Sequence, residues 1–108
     1  MYTVLESRGG TLTVLLTGEI DHHCAGKIRD EIDAAIEHHR PESLVMDFGG
    51  VSFMDSSGIG LVMGRYKLMK SIGGSVSVAN TPKPLRRVMK LSGLYDLAKF
   101  YDDGGNNE

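Results

Sequence analysis

Tryptophan is absent from the 108-residue chain, and aromatic residues make up only 6% of it. So few aromatic side chains argue against a stacking platform for nucleic acid bases, and a formal net charge of -2 gives no general reason to expect nucleic acid binding. The single cysteine cannot form a disulfide within the chain, so the fold does not need an oxidising compartment. No run of about 18 apolar residues occurs, and the first ten residues lack the pattern of a signal peptide. We therefore expect a cytoplasmic protein that binds neither nucleic acid nor membrane.

The rest of the composition is that of an ordinary globular protein, with 41% hydrophobic and 24% charged residues. A chain of 108 residues is long enough for one domain with a hydrophobic core and too short for two. We predict one domain over residues 1–103, acting as a monomer. Residues 104–108 are polar and glycine-rich, and we predict that they form a flexible tail.

Hydrophobic patterns in the first half of the chain predict two strands, a helix and a central strand. The runs 2–7 and 11–18 flank a glycine-rich connection and predict an antiparallel hairpin. Asp21 then occupies the position expected for the cap of a first helix. The run 43–48, SLVMDF, is almost continuously apolar, as is typical of a central strand covered on both faces.

The second half continues the alternation of helices and strands. A helix is predicted from about 57 to 71, a short strand over 75–80, and a third helix over 82–94 that ends at Gly93 in the left-handed conformation. Residues 98–103 predict a last short strand or helix. The fold class is therefore α/β, with a mixed, mostly parallel sheet of four to five strands and three or more helices. The residues of the third helix predicted to face inward are Leu85, Val88 and Met89.

The stretch 54–60, MDSSGIG, lies between the predicted central strand and the second helix, at the sheet edge where α/β proteins place their functional groups. Any one of its three polar residues, Asp55, Ser56 and Ser57, is enough to cap the helix, which leaves the others available for another role. Neither serine completes the Gly-x-Ser-x-Gly motif of a hydrolase, and no phosphate-binding loop of the GxxxxGK[ST] type occurs. We therefore predict that the protein is not an enzyme. Gly60 and Gly64 lie one turn apart and predict the close approach of a neighbouring backbone.

Two histidine pairs, His22-His23 and His38-His39, suggest a metal site at first sight. If the helix between them is continuous, at about 1.5 Å per residue, the pairs lie on the order of 20 Å apart and cannot share an ion. Residues 21–24 are consecutive and lack the spaced ligands of a zinc site. We predict no metal and no cofactor. Because Asp21 ends a strand at the same sheet edge, we expect it to lie near Ser56.

Four blocks of sequence resemble the anti-sigma factor antagonists of the STAS family, most closely those of the sigma F pathway of sporulation. The blocks are LTGEIDHH at 16–23, VSFMDSSGIG at 51–60, GRYKLMKSIGG at 64–74 and RVMKLSGLYDL at 87–97. The resemblance extends from the first hairpin to about Phe100. The joint occurrence of the blocks in this order is highly specific for the family.

The resemblance implies a binding module and not a catalyst. In this family, the unphosphorylated antagonist binds an anti-sigma factor that is also a serine kinase, and this frees the sigma factor. Phosphorylation of the first serine of the Asp-Ser-Ser-Gly motif, here Ser56, ends binding until a serine phosphatase removes the phosphate. Two other hypotheses are an STAS antagonist of another stress or signalling pathway, and a small nucleotide-binding protein. The implied partner-binding residues are Asp21, Asp55, Ser56, Ser57, Gly58 and Arg65.

Overall fold

The computed structural model describes residues 2–102, and within them the predicted order of strands and helices is confirmed. None of these helices combines the length and the apolar composition that crossing a lipid bilayer requires. The predicted tail, 104–108, lies outside the described residues. The elements are β1 (Tyr2–Arg8), β2 (Thr11–Ile20), α1 (Ala25–His39), β3 (Ser43–Met54), α2 (Ser56–Ser71), β4 (Ser75–Ala79), α3 (Lys83–Leu91), a 3-10 turn (Leu94–Asp96) and β5 (Lys99–Tyr101).

The strands form one sheet in the order β1-β2-β3-β4-β5. The β1 strand is antiparallel to β2, and the remaining pairs are parallel, so the predicted mixed, mostly parallel sheet is confirmed. The hairpin closes where Arg8 pairs with Thr11. Both loop residues, Gly9 and Gly10, have positive φ, as the two-residue turns that match the strand twist require.

The sheet is buried on one face only, so the prediction that β3 is covered on both faces was wrong. Leu44, Met46 and Phe48 have no exposed surface, while the alternate residues Val45 and Asp47 are partly exposed. Each helix connects a strand to the next one in the same direction, and right-handed crossovers of this kind place all the helices on one face. Because the partly exposed Val45 is apolar, the alternation of buried and exposed residues along β3 cannot be recognised from the sequence.

The core lies between the buried face of the sheet and the helices. The α1 helix contributes Ile28, Ile32 and Ile36, spaced by four residues as one face of a helix requires. In α3 the buried stripe consists of Leu85 and Met89, while Val88 is 44% exposed, so the prediction that Val88 faces inward was wrong. This nine-residue helix packs through a narrow stripe.

The end of α3 follows the predicted pattern. Gly93 has a φ of 86°, its amide donates to the carbonyl of Lys90, and Leu94 is completely buried after it. A side chain at a left-handed position clashes with its own backbone, which glycine avoids.

We therefore expect Gly93→Ala to lower the free energy of unfolding by about 1 kcal/mol. Gly93→Asn should lower it less, because asparagine tolerates the left-handed conformation. Urea denaturation of the three proteins measures both changes. Equal stability of the alanine variant and the parent protein would contradict this account of the helix end.

Candidate functional site

The carboxyl ends of β2 and β3 lie side by side and carry the candidate site. Ile20 pairs with Met54, and the amide of Asp55 donates to the carbonyl of Ile20 at 3.1 Å. The loop 21–24 leads from this edge into α1, and Asp55 leads into α2. The expected proximity of the Asp21 loop and the Ser56 segment is therefore confirmed.

Asp55 is the cap of α2. Its extended backbone, with φ -97° and ψ -169°, directs Oδ1 to the amide of Ser57, which donates at 2.8 Å. The second oxygen, Oδ2, accepts the amide of His22 at 3.3 Å. Of the three possible caps in the motif, the aspartate caps the helix, and its carboxylate also joins the two loops.

Asp21 holds the turn that precedes α1. Its Oδ1 accepts the amides of His23 at 2.9 Å and Cys24 at 3.2 Å, and its carbonyl accepts the amide of Ala25. The helix begins at Ala25 with Cys24 as its N-cap residue, so the prediction that Asp21 caps α1 was wrong. The turn of residues 22–24 separates Asp21 from Ala25, the first residue of the helix. The Cys24 thiol donates to the carbonyl of Glu19, near the end of β2, at 3.5 Å.

These hydrogen bonds keep both carboxylates ionised. The amide of Ser57 lowers the pKa of Asp55 below its usual 3.8, against an opposing effect of desolvation, and the amide of His22 adds to the lowering. Desolvation raises the pKa of Asp21, but the bonds from His23 and Cys24 together outweigh it, so this pKa also lies below 3.8. Asp21 and Asp55 therefore each carry a negative charge at neutral pH.

Ser56 is the first residue of α2 and is exposed. Among residues 2–102 its hydroxyl makes no hydrogen bond, because Asp55 already caps the helix. It also lies at the positive end of the helix dipole, where backbone amides favour an anion. The geometry presents Ser56 as a hydroxyl that an external reagent can reach, without a hydrogen-bonded base that would make it a nucleophile. Ser57 is half-buried beside it.

The other two predicted site residues, Gly58 and Arg65, are buried and do not share the exposed position of Ser56. Gly58 is buried, and a Cβ at that position would overlap the side chain of Met54. Arg65 is also buried, with its Nε 2.8 Å from Oδ1 of Asp33 on α1. Burial lowers the pKa of Arg65, and the charge of Asp33 opposes that change. Asp33 had no signal in the sequence, because its contact depends on how α1 lies against α2.

The histidines lie in two separate places. The rings of His22 and His23 are 4.0 Å apart at the site, while those of His38 and His39 are 4.7 Å apart at the last turn of α1. In the described part of the chain, no three His, Cys, Asp or Glu side chains are grouped so that they could hold a metal ion. That the protein needs no metal stays a prediction.

Comparison with known proteins gives a match over nearly the whole chain. The family model described as STAS domain matches residues 2–106. A Paenibacillus polymyxa protein named anti-sigma F factor antagonist is 38% identical over 102 residues, covering 94% of this chain and 87% of the relative. The solved structure of the anti-sigma factor antagonist SpoIIAA in its unphosphorylated form is 32% identical, with a TM-score of 0.82 over 96% of this chain and 91% of that one.

A second solved structure, of the Bacillus cell fate determinant SpoIIAA in the phosphorylated form, is also 32% identical. Its TM-score is 0.75, and the match covers 96% of this chain and 95% of that one. Both chemical states of that protein therefore share the fold of the present chain.

The lowered pKa values predict how the site responds to acid. A carboxyl group whose pKa is lower in the folded state stabilises that state above its unfolded pKa, and this stabilisation is lost as the pH falls through the folded pKa. We expect NMR titration of the carboxyl carbons to give values below 3.8 for both Asp21 and Asp55. The amide shifts of His22 and Ser57 should follow the titration of Asp55. A pKa of Asp55 at or above 3.8 would show that the two hydrogen bonds are not formed in solution.

Proposed function

This chain belongs to the STAS domain family, and we propose that it is an anti-sigma factor antagonist whose unphosphorylated form binds an anti-sigma factor with serine kinase activity. Binding frees the sigma factor from its inhibitor. The observation that carries the proposal is the exposed hydroxyl of Ser56 at the N-terminus of α2, next to a cap that does not need it. The names of the Paenibacillus polymyxa relative and of SpoIIAA support the assignment.

In this proposal, the kinase transfers a phosphoryl group from ATP to the Oγ of Ser56, and the phosphorylated chain no longer binds. A serine phosphatase restores the hydroxyl. The existence of SpoIIAA in both forms supports such a cycle, and the similarity of this chain to both supports a fold that tolerates the phosphate. The 38% identity to an anti-sigma F factor antagonist favours the sigma F pathway and supports a cytoplasmic location.

The charge of the phosphate explains why binding would end while the fold stays intact. A phosphate adds about 1.5 to 2 negative charges at neutral pH. Within the chain, the N-terminus of α2 offers a positive dipole end to it. Against the partner, the new charge lies beside the ionised Asp55 and has to be desolvated in the interface, which is costly without a matching cation.

We expect mass spectrometry to find the phosphate on Ser56 after incubation with the cognate kinase and ATP. Ser57→Ala should remain a substrate, because Ser57 is half-buried, while Ser56→Ala should not be phosphorylated. Both variants remove one hydroxyl from the same helix turn and therefore serve as controls for each other. Phosphate found mainly on Ser57 would contradict the assignment.

Phosphorylation should lower the affinity for the anti-sigma factor by at least about a hundredfold, since an unmatched buried charge costs several kcal/mol and each 1.4 kcal/mol is about tenfold in affinity. Calorimetric titration of both forms measures this change. Amide NMR shifts should change only around Ser56 and the His22 loop that Asp55 joins to it. Shift changes throughout the sheet, or equal affinities, would rule out a local charge switch.

A further inference from the structure

Two helix surfaces have no packing role within the chain. On α2, a Cβ built on Gly60 or Gly64 would meet no heavy atom within 4 Å outside the backbone of its own helix, so the prediction that these glycines allow a neighbouring backbone of this chain to approach was wrong. On α3, the side opposite the core carries apolar and basic side chains next to each other. The α3 surface therefore presents groups whose chemistry can select a partner.

The apolar part of the α3 surface is a stripe of three exposed residues. Pro84, Val88 and Leu91 are spaced by four and then three residues, so they lie along one side of the helix. Leu91 is 79% exposed and Val88 is 44% exposed. The fold does not use this apolar stripe, because the core contacts of α3 come from other residues, Leu85 and Met89.

A basic stripe runs beside the apolar stripe. Lys83, Arg87 and Lys90 have the same spacing of four and then three residues, each one position earlier in the chain, and all three are exposed. None of them forms an ion pair with another of residues 2–102, whereas Arg86 is paired with Asp102. The helix contains no acidic residue. Positive charge is thus concentrated on α3, although the net charge of the chain is -2.

The two parallel stripes favour one kind of partner. A second copy of the chain carries the same cations and no acid on α3, so it does not complement the basic stripe. A helix that lies in a membrane buries a large apolar face, but here Leu85 and Met89 are turned into the core. A nucleic acid backbone would engage the cations and leave the exposed Leu91 without a contact.

We propose that α3 is a docking surface for an acidic amphipathic helix of a protein partner. The apolar side chains of that helix pack on the apolar stripe, and its carboxylates pair with the basic stripe. The inference goes beyond the proposed function, because it does not involve Ser56. The α3 helix follows β4 and not β3, and Leu91 is eight residues from the first residue of α3, about 12 Å along the helix axis.

A synthetic peptide of about 20 residues, with leucines along one side and glutamates along the neighbouring stripe, tests the apolar contact. Added to the labelled full chain, it should shift the amide NMR signals of α3. Leu91→Ser should lower the affinity by about tenfold and leave the melting temperature unchanged, because this side chain is mostly exposed in the free protein. The control is Leu15→Ser, the same change on the open face of the sheet, which should bind as the parent does. A peptide that does not shift the signals of α3, or equal losses in the two variants, would overturn the proposal.

The charge contact is tested from both sides. Replacing the glutamates of the peptide by glutamines should lower its affinity by about fivefold or more, and so should Arg87→Glu in the protein. Arg8→Glu, the same change at the hairpin of β1 and β2, should have little effect. Equal binding of the two peptides would contradict recognition of acidic groups. Vesicles of phosphatidylglycerol and phosphatidylcholine serve as a further probe: Leu91-dependent binding to vesicles, without binding to the peptide, would assign α3 to a membrane and overturn the proposal.

Discussion

Both oxygens of the Asp55 carboxylate accept backbone amides, and the site depends on this arrangement. The bond from Ser57 begins α2, and the bond from His22 fastens the loop after β2 to the loop after β3. Because the aspartate satisfies the helix terminus, the neighbouring Ser56 hydroxyl holds no part of the fold together. In the proposed function, capping and modification therefore fall on adjacent residues, so that phosphorylation of Ser56 would break no structural hydrogen bond.

The one-sided sheet determines what lies around Ser56. Since consecutive crossovers all step in the same direction, α1 and α2 lie next to each other on the same face and both begin at the carboxyl edge. The turn held by Asp21, the first turn of α2 and a hollow of about 300 Å³ between α1 and α2 are consequently contiguous. Gly58 is the buried residue of this first turn of α2, and its missing side chain leaves room for Met54 at the end of β3. A partner that contacts Ser56 thus meets two helix N-termini and the space between them.

Most of the fold could be predicted from patterns of neighbouring residues in the sequence. The order of elements, the hairpin at Gly9 and Gly10 and the helix end at Gly93 each depend on residues close together in the sequence. The cap of α1 was misplaced by a local feature, the turn of residues 22–24, but other features depend on distant parts of the chain. The exposed face of the sheet was hidden by Val45, and the contact of Arg65 with Asp33 depends on the placement of two helices. For the site, topology predicted that Asp21 lies near Ser56, while the role of Ser56 came from the family resemblance and stays a prediction.

Cross-saturation NMR of the labelled, unphosphorylated chain bound to unlabelled anti-sigma factor tests the location of the interface most directly. The account predicts loss of signal at the amides of the turn 21–24 and of α2 from Ser56 to Gly64, with the open face of the sheet at Thr13 and Ser77 unaffected. Loss of signal on that open face, with the first turns of α2 unaffected, would show that the partner binds elsewhere. Ser56 would then lie outside the interface, and a charge on it could not act as the switch.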